Sequence, residues 1–456
     1  MDRFDVCVLG AGPAGYHAAI RVSQLGGKVA LVEEREVGGL CLSRGCIPSR
    51  TLLQSVNLFN EARNAQAYGL KVGGVEADFA AMQRRAEEIV KRLTAGLREV
   101  LSSYDIQVLE GRGRLLSKNE VEVTGRGRRE DVQCESLVIA TGSKPVKPWE
   151  TGKLVSAEEA LEIEALPENL VILGGKPVGV TLASIFNGLG VKTTIVEKAP
   201  RILPQFDSEV ASRLQRALRT CGIEILTGTE ALGVPLEKAT VSLSCGEALK
   251  ADRVVVTERV GNIDGLGLSE LKVKTEEGFI KVNERMETNV RGVYAAGDIV
   301  GGSSAQEAFL QGTVAAENIM GVESTANRLI PRCVYATPEA ASLGITEEEA
   351  REKGLAVTVG RFPFSASGQA LCIGEGEGFV KLIVDAKYGE VLGIHMVGPR
   401  ATELVGGVSL AMSLEATVET IAEAVFPHPT LSEALKEAAL SSLGRSIHLP
   451  RPKGRS

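Results

Sequence analysis

Two stretches of this chain carry the same plan 164 residues apart, and that repeat limits the possible folds more than any other feature. In the first, the apolar run Phe4-Asp5-Val6-Cys7-Val8-Leu9 leads into Gly10-Ala11-Gly12-Pro13-Ala14-Gly15. An alanine-rich helical segment, Tyr16 to Leu25, follows, and then a second run, Val29 to Val32, that ends on Glu33. In the second, Leu170-Val171-Ile172-Leu173 leads into Gly174-Gly175-Lys176-Pro177-Val178-Gly179, a helix to Leu189, and the run Thr193 to Glu197. Gly10 maps to Gly174, Gly15 to Gly179 and Glu33 to Glu197. Strand, glycine turn, helix, strand and acid in this order make a dinucleotide-binding unit. The first glycine forms the turn, the second lets the backbone approach a pyrophosphate, and the third allows close helix–strand packing. Glu33 would accept from a ribose hydroxyl. Two such units suggest two dinucleotides, commonly a flavin and a nicotinamide. One position breaks the register: Gly12 maps to Lys176.

At roughly 150 residues per domain, 456 residues should hold about three domains. Between the repeats, Phe79, Met82, Ile89, Leu93, Leu97 and Val100 recur at helical spacing, which predicts a helix over 78–103 that packs one face on its domain. Leu137 to Ser143 reads as a buried strand entering a glycine turn, and a boundary falls near Pro145 and Pro148. A second buried strand, Gly292 to Asp298, precedes a helix from about Ala305. After Pro331 come strands at Phe379 to Val384 and Val391 to Val397, then helices. The expected fold is α/β, with two Rossmann-like dinucleotide domains and a C-terminal α+β domain. The divisions are 1–145 for the first nucleotide domain, 146–264 for the second, 265–330 for a segment completing the first, and 331–456 for the third.

The net charge of −7 makes nucleic acid an unfavourable partner, because phosphate binding relies on Lys and Arg. The most basic stretch, Arg112 to Arg129, has no aromatic residue for base stacking and reads as a solvated hairpin. The longest apolar stretch, Leu170 to Val191, is interrupted by Lys176 and is not a membrane helix. Eight cysteines in a chain this long do not make a disulfide scaffold, and no secretory signal opens it. The chain therefore reads as a soluble protein of a reducing, cytoplasmic compartment, where a disulfide would be catalytic.

Cys41-Leu42-Ser43-Arg44-Gly45-Cys46-Ile47-Pro48 is the sharpest chemical signal. Bridged cysteines need Cα atoms about 4.4–6.8 Å apart, which a turn at Gly45 leading into a helix can give. A helix N-terminus also stabilises thiolate. Zinc would need more ligands than are visible nearby, and two unrelated buried thiols are the plain alternative. The other six cysteines are scattered and read as core. Of four histidines, His428 lies between two prolines at a helix entry with Glu433 five residues on, and it suits a base that generates thiolate. His17, His395 and His448 read as structural.

With these residues in hand, the chain resembles the flavin-dependent disulfide reductases, and within them the lipoamide branch, over essentially its whole length. The motifs are Gly38-Gly39-Leu40-Cys41 to Ser49, Ala140 to Ser143 (with Thr141 and Gly142), Gly297-Asp298, and His428 to Glu433. The resemblance implies FAD, NAD, a lipoyl-bearing partner and a homodimer in which His428 and Glu433 act on the other subunit's disulfide. It implies that Cys41 exchanges with the dithiol and that Cys46 lies against the flavin as the charge-transfer thiolate. Asp298 would bind the ribityl chain, and Ala305 and Arg50 would also face the flavin.

The departures fall on the nicotinamide side. The family has Gly where Lys176 stands and Glu where Thr181 stands, the latter pairing with Lys at the position of Arg50. In Thr257-Glu258-Arg259-Val260-Gly261-Asn262, Glu258 replaces a Gly. Flavin and dithiol chemistry are therefore expected to survive while NAD binding is weakened, or another electron partner serves. A non-catalytic flavoprotein is disfavoured by the intact Cys41, Cys46, His428 and Glu433. Glu197 favours a free 2′-hydroxyl over a phosphate.

Overall fold

The computed structural model describes residues 3–125, 127–149, 153–233, 240–302 and 304–450. The chain opens with β1 (Arg3–Leu9), α1 (Pro13–Gln24), β2 (Val29–Glu33), a short α2 (Gly39–Ser43), α3 (Cys46–Arg63) and α4 (Phe79–Ser103). Then come β3 (Gln107–Glu110), β4 (Arg112–Ser117), β5 (Glu120–Gly125) and β6 (Arg128–Ile139), giving a sheet ordered β3-β2-β1-β6-β5-β4. The parallel strands are apolar on both faces because helices or strands cover both, so Val6, Cys7 and Val8 are fully buried. Helix α4 begins where the spacing places it, with the Asp78 carboxylate accepting from the Ala81 amide.

The basic stretch forms an antiparallel meander rather than a single hairpin, and Arg129 pairs with Glu122 on the facing strand. β6 is one twelve-residue strand. Its charged start lies in the meander, while Leu137-Val138-Ile139 lies parallel to β1. The sequence marks only its apolar end, from Leu137, because the charged residues before it hide the continuity of the strand.

β7 (Ser143–Pro145) leads away to β8 (Leu154–Ser156), α5 (Ala157–Leu161), β9 (Asn169–Leu173), α6 (Pro177–Gly188), β10 (Lys192–Glu197), α7 (Ser208–Thr220) and β11 (Glu224–Thr227). After β12 (Ala231–Gly233), β13 (Thr240–Leu243) and β14 (Ala248–Lys250), β15 (Arg253–Val256) completes a parallel sheet ordered β11-β10-β9-β15-β8. The internal repeat is exact in register. Leu9 faces Val32 and Ile139, and Leu173 faces Val196 and Val256. β16 (Arg259–Gly261) returns antiparallel to β7, so outgoing and incoming chain are paired. After a hairpin of β17 (Thr275–Glu276) and β18 (Phe279–Ile280), β19 (Val293–Ala295) joins the first sheet beside β6, and α8 (Ala305–Ile319) packs on α1.

The last unit is an antiparallel sheet of β20 (Arg332–Val334), β21 (Glu339–Gly344), β22 (Val357–Pro363), β23 (Phe379–Asp385) and β24 (Val391–Gly398), ordered β20-β21-β24-β23-β22. Helices α9 (Glu347–Glu352), α10 (Gly368–Cys372), α11 (Ala401–Ser413), α12 (Val418–Glu423) and α13 (Glu433–Ser442) accompany it. Among the described residues no helix is long and apolar enough to cross a membrane.

A buried ion cluster ties this sheet to the second nucleotide unit. Lys381 of β23, 1% exposed, meets Asp207 at 2.8 Å, Glu209 at 2.7 Å and Glu347 at 2.8 Å. Arg361 adds a second cation to Glu209 and Glu347. Burial opposes charge on both Asp207 and Lys381. The ammonium nevertheless holds Asp207 below its ordinary value, and the three carboxylates hold Lys381 above its own. The pair's stabilisation is therefore fully present at neutral pH. It is lost as pH falls from the ordinary aspartate range toward the lowered value of Asp207, and as pH rises from the ordinary lysine range toward the raised value of Lys381. Lys381→Met leaves Asp207 buried without its cation and should cost on the order of 3–5 kcal/mol. Denaturant unfolding at neutral pH measures it, and a loss below about 1 kcal/mol would contradict the assignment.

Candidate redox and nucleotide-binding site

The two sharpest sequence signals meet in space. Gly38, at φ +97°, turns the chain so that its amide donates to the Ala11 carbonyl at 2.8 Å. A Cβ on Gly39 would stand 2.6 Å from the Gly12 Cα, so the segment bearing Cys41 rests directly on the first glycine turn. Gly45 then opens α3, and Cys46 is its first residue. The Cys41 and Cys46 Cα atoms are 4.6 Å apart and the sulfurs are bonded. Helix α3 is fixed from below by buried Leu52, Leu53 and Val56. Opening the bridge would leave the Cys46 sulfur at a helix N-terminus, where the backbone dipoles favour a thiolate.

The glycines around the turn divide by function. A Cβ on Gly10 would meet the Ala140 carbonyl oxygen at 2.3 Å, and one on Gly15 would meet the Gly10 oxygen at 1.7 Å, so both are required by packing. A Cβ on Gly12 would meet only the Gly39 Cα, at 3.9 Å. Protein packing does not demand glycine there, and the open space fits a pyrophosphate resting on the N-terminus of α1. Glu33 accepts from the Ala11 amide at 2.7 Å and from the Arg35 amide at 2.8 Å, so its carboxylate holds the turn. A ribose hydroxyl would use remaining lone pairs of the same oxygens.

Asp298 lies at the end of a relay. Ser143 donates to its carboxylate at 2.7 Å, and Arg259 donates to the Ser143 hydroxyl at 2.8 Å while pairing with Glu158 at 3.0 Å. Arg259, read with the nicotinamide segment in the sequence, thus points back to the first unit. Gly297, at φ +85°, gives its amide to Gln311 at 2.7 Å. Gly142 sits at φ +71°, Thr141 donates to the Asn262 carbonyl at 3.0 Å, and Ala305 opens α8. Arg50, one turn beyond Cys46, stacks on Tyr335 at 4.1 Å and pairs with Glu339 at 3.7 Å, so its carboxylate partner comes from the C-terminal unit. Thr181 is buried in α6.

His428 stands in the last unit, its ring 79% exposed, with Nδ1 2.9 Å from Glu433. Glu433 also accepts the Thr430 amide at 2.8 Å. Its slight burial favours protonation, but that amide and the imidazole outweigh it and hold the carboxyl below its ordinary value. One turn along α13, Glu437 holds His448 in the same way, also at 2.9 Å. That second pair was not legible in the sequence. Its members are eleven positions apart, and the only trace is the spacing of Glu433 and Glu437 on one helix face. His395 is buried between Ser342 and the Ile345 carbonyl, and His17 stacks on Phe309.

The second glycine turn copies the scaffold of the first. A Cβ on Gly174 would meet the Thr257 hydroxyl at 2.2 Å and one on Gly179 the Gly174 oxygen at 2.0 Å. Glu197 accepts from the Gly175 amide at 2.7 Å and the Ala199 amide at 2.8 Å. Lys176 takes the place of Gly12 with its side chain exposed. The second turn therefore carries a side chain at the position that glycine leaves open in the first.

Gly12→Val should leave the fold intact and abolish flavin retention, because the added carbons enter only the cradle. Circular dichroism and the flavin absorbance of the purified variant check this together; full flavin content would contradict it.

Residues 4–312 match the family described as pyridine nucleotide-disulphide oxidoreductase, and residues 330–439 match that family's dimerisation domain. A protein of Bacillus subtilis called dihydrolipoyl dehydrogenase is 38% identical, the match covering 98% of this chain and 99% of the relative. The crystal structure of LpdA from Mycobacterium tuberculosis superposes with a TM-score of 0.89 at 25% identity, covering 96% of this chain and 99% of that one. The HOCl-induced flavoprotein disulfide reductase RclA from Escherichia coli gives 0.84 at 26%, covering 94% and 98%. With both units matched in sequence and a bonded cysteine pair seated on the first glycine turn, the chain belongs to the pyridine nucleotide-disulphide oxidoreductase family.

Proposed function

We propose that this chain is a FAD-dependent oxidoreductase that oxidises dihydrolipoamide, carried on a lipoyl-bearing protein, and passes the electrons to NAD+. The observation that carries the reading is the Cys41–Cys46 bridge resting on the open Gly12 cradle. The name of the Bacillus subtilis relative supports the substrate, and the flavoprotein title of the Escherichia coli structure supports the cofactor. FAD would be held by Gly10, Gly12, Gly15, Glu33, Arg50, Thr141, Gly142, Gly297, Asp298 and Ala305. Bound there, it supplies a two-electron acceptor beside the thiols. Gly174, Gly179 and Glu197 would face the nicotinamide dinucleotide. In this reading residues 1–145 and 265–330 form the flavin domain, 146–264 the second nucleotide domain and 331–456 the interface domain, with the whole in the cytoplasm.

The chain's own residues account for the dithiol half of the reaction. One substrate thiol gives its proton to His428, and the thiolate attacks the Cys41 sulfur. The Cys41–Cys46 bond breaks, and Cys46 leaves as a thiolate favoured by the first turn of α3. The second substrate thiol displaces Cys41 from the mixed disulfide, its proton ending on Cys41, and the cyclic disulfide departs. Two electrons have reached the cysteine pair. Glu433 fixes the His428 ring by accepting at Nδ1, which leaves Nε2 to take the substrate proton.

We place this base opposite the disulfide of a second subunit. The match to a dimerisation domain supports that arrangement, as do Leu410, Leu414 and Val425, which are 64%, 72% and 95% exposed in the single chain. A second reading, in which a different partner takes the electrons, is favoured by Lys176 in the second turn.

His428→Gln should slow reduction of the holoenzyme by dihydrolipoamide about a hundredfold or more, with the bridge and flavin content unchanged. Rapid-mixing absorbance reads the rate, and a loss of less than about threefold would remove His428 from the mechanism. Because Glu433 is held ionised below its ordinary range, Glu433→Gln should give a smaller loss that stays constant from about pH 6 to 8.

A further inference from the structure

We propose that Lys176 and the Lys198–Glu258 ion pair form a barrier across the second nucleotide crevice, so that this unit binds pyridine dinucleotides selectively weakly. The proposal rests on the function proposed above, in that it concerns the dinucleotide partner of the same chain. The chain's own internal copy supplies the reference for the second turn.

The two turns share one backbone. Gly12 caps α1 at φ −72° and ψ −175°, Lys176 caps α6 at φ −79° and ψ 175°, and each is followed by proline. Both glycines that packing requires in the first turn are retained in the second, as Gly174 and Gly179. Only the glycine that faces ligand space has become a long cationic side chain. Nothing in the extended conformation at position 176 demands glycine, so the backbone tolerates the lysine, and its consequence falls on whatever occupies the crevice.

The second observation is an ion pair. Ligands of an open parallel sheet bind outside the carboxyl ends of its strands, here above β9 and its neighbours. β9 lies between β10 and β15. Lys198 directly follows β10, Glu258 comes two residues after β15, and their charged atoms are 3.7 Å apart. The pair therefore spans the carboxyl end of β9, over the turn that starts at Gly174. In the first unit the positions that follow β2 and β6 in the same way are Glu34 and Thr141, and that combination cannot form an ion pair. A dinucleotide entering the second crevice must displace the Lys176 side chain and open the pair. Once the pair is open, the Glu258 carboxylate stands near the pyrophosphate and repels it. The pair is 67% exposed at both ends and costs little to open, so the barrier lowers affinity without abolishing binding.

The test is NADH affinity of the FAD-loaded protein by calorimetry, for the parent, Lys176→Gly, Glu258→Thr and the double variant. Lys176→Gly should tighten binding about tenfold, Glu258→Thr by less, and the double variant by the most. Unchanged or weaker binding in Lys176→Gly would overturn the proposal, the weaker case meaning that the ammonium recruits the pyrophosphate. Dihydrolipoamide-induced flavin spectra of the same samples keep the two claims apart. A silent dithiol response with the expected affinity series would remove the proposed function and leave the barrier standing.

Discussion

Everything in this molecule depends on two places where a helix meets a strand more closely than any side chain permits. At Gly15 and again at Gly179, a β-carbon would stand within 2.0 Å of the carbonyl oxygen of the glycine that opens the turn. That approach aims the first turn of each helix at the carboxyl end of its sheet, and a carboxylate from the next strand, itself held by an amide two residues on, accepts one backbone amide of the turn. The energy lies in backbone packing and buried apolar strands. The position between these packing glycines, Gly12 in one turn and Lys176 in the other, is thereby left free to vary with the ligand.

The redox pair inherits its position from the first of these turns. Gly39 can lie against Gly12 only because Gly39 itself has no side chain, so the segment that carries Cys41 is held by the nucleotide turn. From there α3 runs toward the second unit, where a Cβ on Gly188 would stand 2.4 Å from Val56. Ser143, Arg259 and Glu158 link Asp298 to the paired strands that join the two units. A displacement of the second unit would therefore be felt at both Asp298 and the cysteine helix. Lys381 fixes the remaining freedom by holding the N-terminus of α7 against the last sheet.

Much of this was legible in the residues because the chain states it twice. The repeat gives the two sheets, and the Cys41 to Pro48 spacing gives the turn that brings the sulfurs together. The unreadable parts are contacts between segments far apart in the chain. The Arg50–Glu339 pair, the Lys381 cluster and the Glu158–Arg259–Ser143 relay each join residues separated by more than a hundred positions. Their chemistry is that of ordinary surface charge until the fold brings them together. The Glu437–His448 pair fails for a different reason: the histidine lies in an irregular tail with no periodicity to mark its neighbour. Glu258 was visible only as a departure, and its meaning came from Lys198, which no motif includes.

The central claim is that a dithiol reaches the flavin through Cys41 and Cys46. Anaerobic addition of dihydrolipoamide to the FAD-loaded protein, followed by absorbance, tests it most directly. The account predicts a long-wavelength charge-transfer band as the Cys46 thiolate forms beside the flavin, absent in Cys46→Ser. A flavin spectrum that dihydrolipoamide leaves unchanged, in a protein whose cysteines are bridged, would contradict it.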